Sequence, residues 1–204
     1  MTMTTTKKTP TTKRKFTVKT TPPTETNEKI ESLPTNPFVF EILDLVSKQR
    51  SNAKKVEVLK SYAHDSLKSV LIWNFDESVI SMLPEGDVPY ADTNDQTVFS
   101  GTLSENLAKE AAGGESATGQ DLDGRGRTSL RREYQNLYHY VKGGNDTLAA
   151  IRRESMFINL LRGLHPREAE VLILTKDKKL ATKYKVTLEN VKEAYPDIQW
   201  GGRS

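Results

Sequence analysis

The chain contains no cysteine. That excludes disulfide staples, thiol chemistry and cysteine-held zinc or iron–sulfur centres, and it fits a reducing, intracellular setting. Long apolar runs are also missing. Nothing approaches the roughly 18 consecutive apolar residues of a membrane-spanning helix, so no membrane partner is expected. The basic N-terminus is not followed by an apolar segment, which argues against a secretory signal. Only three histidines occur, His64, His139 and His165, on separate segments. No His-x-x-x-His or Glu-x-x-His spacing exists to hold a metal. The glycine-containing stretch 111–119 lacks the Gly-Lys-Ser/Thr of a phosphate-cradling loop. Carboxylates such as Asp76 and Glu77 are adjacent on an expected helix and point apart, so they do not form an acid–base pair. No catalytic residue, cofactor, metal or small-molecule substrate is therefore expected. Apolar residues are scarce as well, at 35% of 204, so part of the length should be tail or loop.

What is present is charge, and it is partitioned. Residues 1–30 carry seven Lys/Arg against two Asp/Glu, residues 31–124 seven against sixteen, and residues 125–204 sixteen against nine. A basic tail and a basic C-terminal part flank an acidic middle. Basic surface of this kind suits a polyanion such as nucleic acid, and it is equally the composition of a merely solvated surface.

Residues 1–36 hold twelve threonines before position 27 and almost no apolar side chains. Such a segment cannot bury enough surface to offset its ordering entropy, so a disordered basic Thr/Pro-rich tail is expected. Helical spacing begins at Asn36-Pro37, with Phe38, Ile42, Leu45 and Val46, then Val56, Leu59 and Ala63, then Leu67 to Leu83. Residues 85–126 contain nine acidic residues and two basic ones, with several glycines, and read as a long flexible acidic insertion. Helical spacing returns over Ser129–Val141, with a left-handed stop at Lys142-Gly143-Gly144. It continues from Asn145 to Gly163, from His165-Pro166 onward, and after Thr187 until Pro196. The fold class expected is all-α: a compact domain of seven or eight helices in two lobes over 37–198, with a short tail at 199–204. Trp73, Tyr134 and Tyr138 are expected in the core, and Arg152-Arg153 on an outer face.

The C-terminal pattern is specific enough to compare. It reads Met156-Phe157-Ile158-Asn159-Leu160-Leu161, then Leu164-His165-Pro166-Arg167-Glu168-Ala169-Glu170, then Lys176-Asp177-Lys178-Lys179-Leu180. It closes with Tyr184-Lys185-Val186-Thr187, Val191 and Ala194-Tyr195-Pro196. This resembles the end of the all-helical N-terminal DNA-binding domain of ATP-dependent DNA ligases. Gly144-Asn145 resembles the helix start before that block. Residues 40–83, with the turn Ser51-Asn52-Ala53-Lys54-Lys55, resemble the first helices of the same domain in T-even-like phage ligases. The ligases' glycine at the last turn is replaced by Lys183-Tyr184-Lys185. Their Lys-x-Asp-Gly adenylation motif is absent. The whole chain also resembles an uncharacterised family of T-even-like marine cyanophages.

The resemblance implies a stand-alone, non-catalytic protein that binds double-stranded DNA through the sugar–phosphate backbone without reading sequence. It would be accessory to phage DNA replication, repair or recombination in the host cytoplasm. The implied contacts are Ser51, Lys54, Lys55, Gly144, Asn145, Lys176, Lys178, Lys179, Lys183, Lys185 and Thr187, with lysines neutralising phosphates and turn residues donating hydrogen bonds. A second reading keeps the helical scaffold without DNA, as an adaptor for a phage replication or recombination protein. A third is a virion or assembly component.

Overall fold

The computed structural model describes residues 32–86, 89–91, 99–102 and 127–203. The expected tail before Ser32 and most of the acidic insertion lie outside the described residues. Ser32–Ser204 forms one compact unit, beginning a few residues before the expected boundary at Asn36-Pro37.

The unit is all-α. Its helices are α1 (Val39–Lys48), α2 (Asn52–Ser61), α3 (Asp65–Phe75), α4 (Leu130–Glu133), α5 (Ala150–Gly163), α6 (Pro166–Lys176), α7 (Leu180–Tyr184) and α8 (Leu188–Ala194), with a 3-10 helix at Tyr134–Tyr140. A two-residue-register antiparallel hairpin, Pro89–Ala91 with Phe99–Thr102, lies in the insertion, where only loop was expected. No helix among the described residues is long and apolar enough to cross a membrane.

Local sequence explains the helix ends. Glu41 Oε2 accepts the Phe38 amide at 2.8 Å, closing the start of α1, and Val39, Phe40, Ile42, Leu43, Leu45 and Val46 form its buried stripe. Helix α3 stops at Phe75, earlier than the apolar spacing through Leu83 suggests. Asp76 Oδ1 accepts from the Ser78 amide at 3.0 Å and the Ser78 hydroxyl at 2.7 Å, an Asx turn that competes with helix continuation. The helix expected over 129–141 is a single α turn followed by the 3-10 segment. Three residues per turn aligns Leu137 with Tyr140, and both are buried.

The helices before and after the insertion do not form separate lobes. Helix α2 packs against α8, α3 against α6, and α1 against both α6 and α7. Leu43, Val58, Leu59, Leu71, Leu172, Leu180 and Val191 are fully buried in the resulting common core. One face is rotated from expectation. Ile151 is 81% exposed. Arg153, read as exterior, is buried and donates to the carbonyls of His139 (2.9 Å), Asn145 (2.9 Å) and Leu148 (3.0 Å).

A candidate phosphate-binding corner

One lysine from each of the two expected stretches, Lys55 and Lys185, meets the other. Lys55 Nζ donates to the Lys185 carbonyl oxygen at 2.7 Å across 130 positions of chain. This contact joins the first turn of α2 to the turn between α7 and α8. Arg50, exposed just beyond α1, and Lys54, half-buried in α2, lie in the same stretch of chain as Lys55. Lys183 ends α7 and is paired with Glu170 on a partly exposed surface.

The uncapped start of α2 and the left-handed turn at Lys185 build this corner. Helix α2 has no acidic residue in its first turn, and the Ser51 side chain makes no capping bond to it. Its first amides therefore keep their partial positive charge outward. Lys185 is held at φ 52°, in the left-handed region, with exposed Lys185 preceding fully buried Val186. The chain thus uses a lysine where a helix C-terminal turn ordinarily takes glycine. The carboxylates of Glu57 on α2 and Glu189 on α8 are exposed and oppose the positive charge, and Glu170 is matched to Lys183.

The remaining expected contacts are used otherwise. Lys176 is a correction: its side chain is 1% exposed. It donates to the carbonyls of Pro84 at 2.9 Å and Gly86 at 2.8 Å and pairs with Asp177. An ammonium so enclosed holds the chain entering the insertion and is removed from any external phosphate. Lys178 donates to the Asp76 carbonyl at the end of α3, and burial pulls its pKa below the ordinary lysine value. Lys179 remains on the surface, 3.9 Å from Asp177. Thr187, exposed, accepts the Asn190 amide at 3.3 Å as the N-cap of α8.

Gly144 and Asn145 belong to the turn before α5. A Cβ on Gly144 would sit 1.9 Å from the Tyr138 carbonyl oxygen. Asn145 bonds His139 through its side chain at 3.0 Å and Arg153 through its carbonyl. Both residues shape the turn rather than offer donors outward.

The histidines are structural. His64 and His165 are the N-caps of α3 and α6, accepting the amides of Ser66 and Arg167 at 3.1 Å each. Burial lowers both pKa values. Among the described residues no group of three or more His, Asp or Glu side chains is placed to hold a metal ion.

A second surface feature was not legible in the sequence. A groove of about 460 Å³ lies between α3, the 3-10 helix and the C-terminal segment. That segment is fixed by Asp76 Oδ2, which accepts from the Gly201 amide and from Arg203 Nε at 3.1 Å each.

A protein-family model for a family of unknown function matches residues 42–113 and 117–182, well over half of the chain. No curated protein and no solved structure matches it.

Proposed function

The chain belongs to DUF6433, a family of unknown function, and with no activity to carry over from it we propose that this member is a non-catalytic, sequence-independent double-stranded-DNA-binding protein. It holds phosphates on the corner formed by Arg50, Ser51, Lys54, Lys55, Lys183 and Lys185. The observation that supports this most is the Lys55–Lys185 contact. It brings together cationic segments that are far apart in sequence, as a phosphate-backbone site requires. Each ammonium would displace condensed counterions from the duplex, giving affinity without base readout. The resemblance to the ligase domain supports the same ligand, and the absent adenylation motif supports a role without catalysis. Its resemblance to the cyanophage family extends the proposal to phage DNA in the host cytoplasm.

The proposal is tested by fluorescence anisotropy with a labelled duplex of arbitrary sequence. Binding that is independent of sequence and falls steeply as salt is raised is the expected result. No binding at low salt rejects the proposal.

A further inference from the structure

The groove between α3 and the 3-10 helix is chemically unlike the lysine corner. Its floor is apolar: Ile72, Trp73, Val79, Leu137 and Val141 line it. No acidic residue lines it, and its two charged lining residues are Lys142 and Arg203. Arg203 is tied through Nε to Asp76 and through Nη2 to the Gln199 carbonyl at 2.7 Å, so its position is fixed before any ligand arrives. Of the three large apolar or aromatic side chains exposed among the described residues, one, Tyr138, lines this groove. It is 48% exposed. Exposed apolar surface gathered beside a cationic rim marks an interaction site. The volume is in the range of pockets that accept a few side chains.

We propose that this groove docks a short acidic peptide segment of a partner protein, with an apolar side chain on the floor and a carboxylate against Lys142, while Arg203, already paired with Asp76, borders the site. Charge complementarity selects the acidic partner. The aromatic residue of the floor, Trp73, is buried, whereas a nucleic-acid strand needs exposed ring faces and a row of cations. The Tyr138 ring lies against His139, tilted by 35° with centroids 3.9 Å apart, and only two cations line the groove. This docking does not depend on DNA binding at the corner, because it uses none of the same residues.

The experiment pans a random-peptide display library on the immobilised full chain. The enriched sequences are then measured as synthetic peptides by fluorescence polarisation. The proposal expects peptides that combine Asp or Glu with Leu, Ile or Phe. Their affinity should fall at least about tenfold in Lys142→Glu and in Tyr138→Ser; both positions are exposed, and unchanged unfolding midpoints confirm that the fold is intact. The double variant Lys54→Glu/Lys185→Glu should bind the peptides as the wild type does, which separates this site from the DNA corner. Enrichment of basic peptides only, or affinities indifferent to both groove variants, overturns the proposal. So does oligothymidylate binding that Lys142→Glu abolishes, which would make the groove a nucleic-acid site. A dimer in sedimentation equilibrium that Tyr138→Ser dissociates would likewise overturn it, by making the occupant a second copy.

Discussion

The buried carboxylate of Glu168 accepts the Leu130 amide at 2.9 Å through Oε2, and through Oε1 it accepts the Val39 amide at 3.3 Å. One side chain on α6 therefore caps the starts of α4 and α1, segments separated by the whole insertion. Replacing it by alanine leaves two buried amides without acceptors, each costing about 1–3 kcal/mol. Glu168→Ala should lower unfolding stability by about 3 kcal/mol, read as a fall in the urea midpoint.

The same residue carries a pH dependence. Burial pushes its pKa from 4.5 up to about 7, against the opposing pull of the two amides and Arg131, while Glu41 raises it further. The folded chain holds this proton more tightly than the unfolded chain. Its contribution to stability is therefore fully present below about 4.5 and is lost as pH rises to about 7. Denaturation of wild type and Glu168→Gln across this window should show a downward slope in the wild type that the variant lacks.

Arg153 satisfies three backbone carbonyls at the turn before α5. Lysine cannot reproduce that planar fork. Arg153→Lys and Arg153→Leu should both destabilise, the latter by about 2 kcal/mol or more. Hydrogen exchange should quicken first in the 3-10 helix and the adjoining turn.

Gly144 is required by contact rather than by backbone angle. A methyl group there would collide with the Tyr138 carbonyl, so Gly144→Ala must displace backbone. A loss of about 2 kcal/mol is expected. Gly86→Ala meets open space, although at a left-handed φ of 96°, and serves as the comparison for strain without collision. Thermal unfolding of the two variants distinguishes these causes.

Lys176 separates structural from interfacial lysines. Lys176→Met should lower the unfolding midpoint, because the carbonyls of Pro84 and Gly86 and the Asp177 carboxylate all lose their cation. Its effect on the salt slope of duplex binding should be nil at temperatures where the variant is folded.

Much of the helical architecture follows from sequence periodicity. The caps at His165 and Thr187 and the left-handed stop at Gly143 are local signals, readable from residue type alone. Tertiary contacts govern what periodicity misses. Asp76 ends α3 early by binding Ser78 and, from the far end of the chain, Gly201 and Arg203. Arg153 is buried because three carbonyls surround it, which no helical spacing announces. At the candidate site, lysine clustering identified Lys54, Lys55, Lys183 and Lys185. It could not distinguish them from Lys176, whose partners lie about ninety residues upstream. Tyr138, assigned to the core by spacing, is exposed because the 3-10 winding turns it outward beside Leu137 and Tyr140.

The most direct measurement is duplex affinity as a function of salt for the wild type and for Lys54→Glu/Lys55→Glu/Lys183→Glu/Lys185→Glu. Each phosphate contact contributes about 0.9 to the slope of log affinity against log salt. The wild type should show a slope of several units, and the fourfold variant should lose nearly all binding while keeping its helicity. A variant that binds with the wild-type slope, or a wild type that ignores the duplex at low salt, contradicts the phosphate-binding corner.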